Sequence, residues 1–153
     1  MKGENRMKKI WFDMDGTIAD LYGVTDWLSM LRAYDPTPYA TAKPLVNLSR
    51  LARALNRLQA MGYEIGVISW LSRESTTEYD EMVTNAKRFW LQHHMPSVQW
   101  NTIHIVAYGR NKWEICGEGI LFDDEARNRE TWNDEAYTPD EIFQILNTLI
   151  KAG

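Results

Sequence analysis

Four short apolar runs, Ile10 to Phe12, Ile65 to Ile68, Ile103 to Val106 and Ile120 to Phe122, are rich in β-branched or aromatic residues, and each gives way to polar or Gly-containing sequence. Runs of that length read as buried strands. Between the first two, Leu45, Leu48, Leu51, Leu55 and Leu58 recur at roughly helical spacing and stop before Gly62, a residue suited to the position just past a helix end. Between the next two, Tyr79, Met82, Val83, Ala86, Phe89 and Trp90 form one helical face. Near the C-terminus, Thr138 as N-cap, Pro139 at the first helical position and Glu141 completing a capping box precede Ile142, Ile145, Leu146 and Leu149. Strands alternating with helices require right-handed crossovers. The expected fold is therefore α/β, three-layered and Rossmann-like, with a mostly parallel sheet covered by helices on both faces.

At 153 residues, 44% of them apolar, the chain can bury one substantial core, and residues 1–153 are expected to form a single domain. A net charge of −4 supplies no broad basic field, so nucleic acid is not an expected partner. The N-terminus lacks the apolar core of a signal peptide, and the stretch from Ile65 to Leu71 is too short to span a bilayer. No membrane association is expected. Cys116 is the only cysteine, which rules out an intramolecular disulfide and leaves the cytoplasm as the default compartment. Oligomeric state is left open.

In parallel α/β sheets, ligands sit beyond the carboxyl ends of the strands. The residues just after each apolar run therefore belong together: Asp13 and Asp15 after the first, Ser69 after the second, Asp123 and Asp124 after the last, with Lys112 opening a helical turn after the third. Carboxylates crowded at one strand end repel one another unless a cation lies between them. Oxygen ligands from Asp13, Asp15 and one of Asp123 and Asp124, without nearby His or Cys, suit Mg²⁺. A calcium loop beginning at Asp13 fails on register, because Ile18 stands where the sharp-turn glycine belongs and Val24 where the bidentate glutamate belongs. A plain surface turn is the other reading of Asp13 to Thr17, and an acidic first helical turn is the other reading of Asp123 to Glu125.

In order, Asp13-Met14-Asp15-Gly16-Thr17, Ser69, Lys112 and Asp123-Asp124 resemble the four motifs of the haloacid dehalogenase-like hydrolase superfamily, over nearly the whole chain. "KRFWL" and "LFDDEARN" show a weaker similarity to its 5′(3′)-deoxyribonucleotidase branch. Resemblance to the phosphatases of the superfamily implies that Asp13 attacks phosphorus to form an aspartyl-phosphate. On the same resemblance, Asp15 would protonate the leaving oxygen and later deprotonate the attacking water. It further implies that Ser69, Lys112, Met14 and Trp70 bind the phosphoryl group, with backbone N–H groups of the turn after Asp13 among the donors. Asp124 would be the direct Mg²⁺ ligand, with Asp123 orienting metal waters or Lys112, and the backbone carbonyl of Asp15 completing the coordination. Dehalogenases of the superfamily lack the second aspartate, so Asp15 favours phosphoryl transfer.

The insert between the first motif and the first long helix, residues 18–43, offers at most a helix around Thr25 to Leu31 and a loop holding Pro36 and Pro38. That is too little for a folded cap, so an open site is expected. Tyr22, Trp27, Tyr34, Tyr39, Trp70 and Arg73 could stack against a substrate and bind a second anionic group, although aromatics at such positions more often serve local packing. Trp90, Trp100, Trp113 and Trp132 read as packing residues, and His93, His94 and His104 show no metal-ligand spacing. The expected activity is Mg²⁺-dependent hydrolysis of a small phosphomonoester, with nucleoside monophosphates the leading substrates. The alternatives are a polynucleotide or sugar phosphatase, a phosphotransferase, and a non-catalytic binding module.

Overall fold

A computed structural model describes residues 8–153. Strand β1 (Lys8–Phe12) runs into the turn that carries Asp13, and a short strand β2 (Ala19–Asp20) follows. Helices α1 (Trp27–Arg32) and α2 (Thr37–Thr41) fill the insert, which ends in β3 (Lys43–Pro44). The Leu-rich segment is α3 (Leu48–Ala60), followed by β4 (Tyr63–Trp70), the long helix α4 (Thr77–His94) and β5 (Thr102–Val106). Then come α5 (Lys112–Cys116), β6 (Ile120–Phe122), α6 (Ala126–Glu130), β7 (Ala136–Tyr137) and α7 (Ile142–Ala152).

Five strands form one sheet in the order β5-β4-β1-β6-β7, and every pairing in it is parallel. Ile10 lies opposite both Ile65 and Ile120, so the strand that delivers Asp13 is central and bonded along both edges. Side chains alternate across a strand. Ile10, Phe12, Ile65, Val67, Ile120 and Phe122 accordingly join Leu51, Leu55 and Leu58 of α3, Trp90 of α4, and Ile142 and Leu146 of α7 in the larger core. Trp11, Ile68 and Leu121 point the other way, into a smaller cluster with Trp132, Trp113 and Ile115. Gly66 lets Trp11 lie across that face, since a Cβ there would come within 2.6 Å of the indole ring.

Local signals account for most boundaries. The Asn47, Thr76 and Asn111 side chains cap α3, α4 and α5 by accepting from the N–H groups of Arg50, Tyr79 and Glu114. The Glu141 carboxylate accepts from the Thr138 N–H at 2.9 Å, as the capping box requires, although Pro139–Glu141 form a 3₁₀ turn before α7 begins.

The structure departs from the sequence reading in several places. Leu45 lies outside α3 and is exposed, while Met82 (49% exposed) and Phe89 (56%) leave the buried face of α4 to Tyr79, Val83, Ala86, Trp90 and the unforeseen Lys87. Strand β5 is half-buried throughout, because it is an edge strand with one side unpaired. The two-residue β7 was not foreseen, having no apolar run to betray it. Pro36 and Pro38 do not sit in an open loop: Pro38 falls in the first turn of α2, where its missing N–H has no helical partner to lose. Antiparallel pairing of β2 with β3 ties the two ends of the insert together. No helix among the described residues is long and apolar enough to cross a membrane.

Candidate active site

The turn after β1 is tight and carries most of the site. The Asp13 N–H donates to the Phe122 carbonyl at 2.9 Å, extending the sheet by one bond, and the Met14 carbonyl accepts from the N–H groups of Thr17, Ile18 and Ala19. Gly16 sits at φ +83°, and a Cβ there would lie 2.4 Å from Asp124 Oδ2. Only glycine allows the turn to approach the second acidic strand end this closely. The Thr17 hydroxyl donates to Asp13 Oδ2 at 2.9 Å, lies 3.2 Å from Asp124 Oδ1, and accepts from the Asp124 N–H at 3.1 Å. It joins the two strand ends.

Lys112, the first residue of α5, is buried with its Nζ 2.9 Å from Asp13 Oδ1 and 2.6 Å from Asp123 Oδ2. Asp123 is fully buried. It also accepts from the Glu125 N–H and from Asn128 Nδ2, while its carbonyl accepts from Arg129 Nη1. Carboxylate oxygens of Asp13, Asp123 and Asp124 lie within 4.8 Å of one another. The Asp15 carboxylate stands apart from these three: its Oδ2 is 2.9 Å from Nζ of Lys87, which leaves the Asp15 backbone carbonyl as the atom read as a metal ligand.

Lys87 is the main residue that sequence reasoning missed. It projects from α4, is 0% exposed, and donates to Asp15 Oδ2 at 2.9 Å, Ser69 Oγ at 2.7 Å and the Trp70 carbonyl at 2.7 Å, with the Tyr39 ring 5.1 Å away. Its position four residues after Val83 and three before Trp90 was the available signal. Ser69 is fully buried against this ammonium group, and the Met14 side chain is buried beneath the turn. The Trp70 ring faces the cavity, with Lys112 Nζ at 5.4 Å and the Arg127 guanidinium at 4.7 Å. Thr17 and Asn128 also emerge as structural partners only in three dimensions.

The electrostatics follow from crowding. Burial, reinforced by the Asp13 charge, pushes Asp123 up to about 6 against the pull of Lys112, and pushes Asp124 up to about 7. Burial also raises Asp15 above the usual carboxylate range, against the opposing attraction of Lys87. Burial would lower Lys112, but Asp13 and Asp123 outweigh it and raise its affinity for the proton. With all groups ionised, four carboxylates face two ammonium groups, and two negative charges remain uncompensated. Together with the all-oxygen donor set, that excess fits a hard divalent cation such as Mg²⁺.

A cavity of about 290 Å³ opens over Asp13, Asp15 and Asp124. Its far wall comes from the insert, through Tyr22, Trp27, Leu28, Leu31 and Tyr39, while Trp70, Arg73 and Tyr108 line the side next to β4 and β5. Tyr34 instead packs against Tyr79, with ring centroids 5.6 Å apart, and does not line this cavity.

No protein-family model matches the sequence, nor does any curated protein. Among solved structures, D,D-heptose 1,7-bisphosphate phosphatase from Burkholderia thailandensis aligns over 94% of this chain and 98% of its own, with a TM-score of 0.54 at 13% identity. This likeness establishes the fold. A protein from Burkholderia xenovorans LB400 described as a haloacid dehalogenase-like hydrolase aligns over 87% of this chain and 83% of its own, with a TM-score of 0.41 at 11% identity. The sheet order and the first of these two alignments give the mostly parallel, Rossmann-like α/β fold that the alternation of elements predicts.

Proposed function

We propose that the protein is a Mg²⁺-dependent phosphomonoesterase of the haloacid dehalogenase type, acting through an aspartyl-phosphate on Asp13. The observation that carries this reading is the clamp of buried Lys112 on Asp13 Oδ1 and Asp123 Oδ2, beside the second acid Asp15 and beneath the cavity. Lys112 and the Thr17 hydroxyl orient Asp13 so that one carboxylate oxygen can point at phosphorus. Asp13 and Asp124 would hold Mg²⁺, with Asp123 behind them and the Asp15 carbonyl alongside. When bound, the ion neutralises the charge that otherwise keeps an anionic phosphate from an anionic nucleophile.

In the first step, an Asp13 oxygen forms a bond to phosphorus as the bond to the leaving oxygen breaks, and that oxygen takes a proton from Asp15. In the second, water attacks the aspartyl-phosphate and gives a proton back to Asp15, releasing phosphate and restoring Asp13. Burial raises the proton affinity of Asp15 above the usual carboxylate range, against the pull of Lys87, which is the direction in which a general acid is tuned. Lys112, the Ser69 hydroxyl and the backbone around Met14 and Trp70 are the candidates for gathering phosphoryl oxygens. The apolar and aromatic wall fits a small substrate with a flat leaving group, and nucleoside monophosphates are the leading candidates; a nucleic-acid strand is not the expected partner.

The test is turnover of an aryl phosphate with Mg²⁺ titrated in, together with intact-mass detection of a phosphorylated protein. Activity that EDTA abolishes, a transient mass increase of one phosphoryl group, and loss of both in Asp13→Asn are expected. Equal turnover in metal-free buffer, or normal activity in Asp13→Asn, would refute the assignment. A 3′-phosphorylated oligonucleotide processed far faster than any mononucleotide would favour a polynucleotide phosphatase instead.

A further inference from the structure

A lysine whose ammonium group is entirely withdrawn from water is costly to bury unless all its hydrogens are used. Lys87 uses three, on Asp15 Oδ2, Ser69 Oγ and the Trp70 carbonyl. We propose that Lys87 is a positioning residue for phosphoryl transfer, one ammonium group that aims the Asp15 carboxylate and sets the Ser69 hydroxyl as a donor. The proposal rests on the phosphomonoesterase reading.

The geometry works through both partners. Lysine has three donors and no acceptor, so the oxygen of Ser69 must accept from Lys87, and the hydroxyl hydrogen of Ser69 is directed elsewhere. A serine in that state can donate to a phosphoryl oxygen. The Trp70 carbonyl anchors the ammonium group to the end of β4, so its place is set by backbone as well as by side chains. Asp15 is thereby held by one oxygen, Oδ2, which leaves Oδ1 for the leaving group and the attacking water. The tie crosses the fold: α4 supplies the lysine, β4 the serine and the carbonyl, and the turn after β1 the carboxylate. Lys112 performs a different task, since it contacts Asp13 and Asp123 and not Asp15.

Because Lys87 acts through Asp15, its loss should be felt where the leaving oxygen needs a proton. The experiment compares Mg²⁺-loaded native protein with Lys87→Met and Lys87→Arg on an activated aryl phosphate and on an unactivated alkyl phosphate, with melting curves for every variant. In Lys87→Met, kcat for the alkyl ester should fall about 100-fold or more and kcat for the aryl ester by less than about tenfold, in keeping with the size of general acid–base effects. Lys87→Arg should recover part of the alkyl activity. A fall of equal size for both esters would mean that Lys87 does not act through Asp15 and would overturn the proposal, as would unchanged kinetics. Should Lys87→Met not fold, Asp15→Asn is compared with the Asp15→Asn/Lys87→Met pair, in which no carboxylate is left buried without a partner. Matching alkyl-to-aryl kcat ratios in those two support action through Asp15, whereas a ratio that falls a further tenfold in the pair defeats it. A native protein without Mg²⁺-dependent turnover removes the phosphomonoesterase reading itself and the proposal with it.

Discussion

Gly16 is the position where one added methyl group should do most damage for its size. At φ +83° a non-glycine residue is strained by about 1 kcal/mol, and the new Cβ would press on the Asp124 carboxylate. Gly16→Ala should lower the melting temperature and raise the Mg²⁺ concentration for half-activity about tenfold; unaltered metal dependence would argue that Asp124 does not bind the ion. The acidic pair makes a second prediction. Folding raises Asp123 to about 6 and Asp124 to about 7, so between the ordinary carboxylate range and pH 7 the folded protein keeps protons that the unfolded chain has lost. Stability of the metal-free protein should therefore fall as pH rises through that window and level off above it. If Mg²⁺ binds these carboxylates it displaces those protons, so it should raise the melting temperature more at pH 8 than at pH 5.5, which calorimetry at the two values would check. The aspartates, Ser69 and Lys112 were legible because each closely follows an apolar run. Lys87 was not, since a lysine on an amphipathic helix ordinarily snorkels to water, and only its shared face with Val83 and Trp90 marks it as different.

The helix α4 shows what periodicity can and cannot resolve. Phe89 and Trp90 are adjacent, both aromatic, and both fit a broad apolar stripe, yet Trp90 is fully buried with its indole N–H donating to the Ala42 carbonyl at 2.7 Å, while Phe89 faces outward. Trp90→Ala should cost about 3–5 kcal/mol in denaturant unfolding, and Phe89→Ala no more than about 0.5 kcal/mol. Comparable losses would mean that α4 is rotated from the orientation described. The four longer strands were legible because β-branched and aromatic runs bounded by polar sequence have few alternatives. The ribbon of β2 and β3 and the strand β7 were not, since pairs of residues such as Ala19–Asp20 or Ala136–Tyr137 carry no pattern and are specified only by their neighbours in space.

At the scale of the whole molecule, the sheet supplies the carboxylate cluster and the insert supplies the wall opposite it. Trp27 stands on that wall and outside the carboxylate cluster. Trp27→Ala should raise KM for aryl phosphates or nucleoside monophosphates about tenfold, roughly 1.4 kcal/mol of contact, with little change in kcat or in the use of a short alkyl phosphate. A fall in kcat with KM unchanged would mean that the wall assists the reaction and does not merely bind. The central place of β1 has a further consequence, in the order in which parts of the molecule open. Amides on a strand bonded along both edges exchange with solvent only when the whole fold opens, whereas edge strands and short helices can exchange through local fluctuations. The Trp11 and Phe12 amides, and that of Asp13 on the Phe122 carbonyl, should be among the slowest in hydrogen–deuterium exchange, with those of α1 and α2 among the fastest. Local opening of the insert would then leave Asp13 in register, held by the bonds of β1 to β4 and β6.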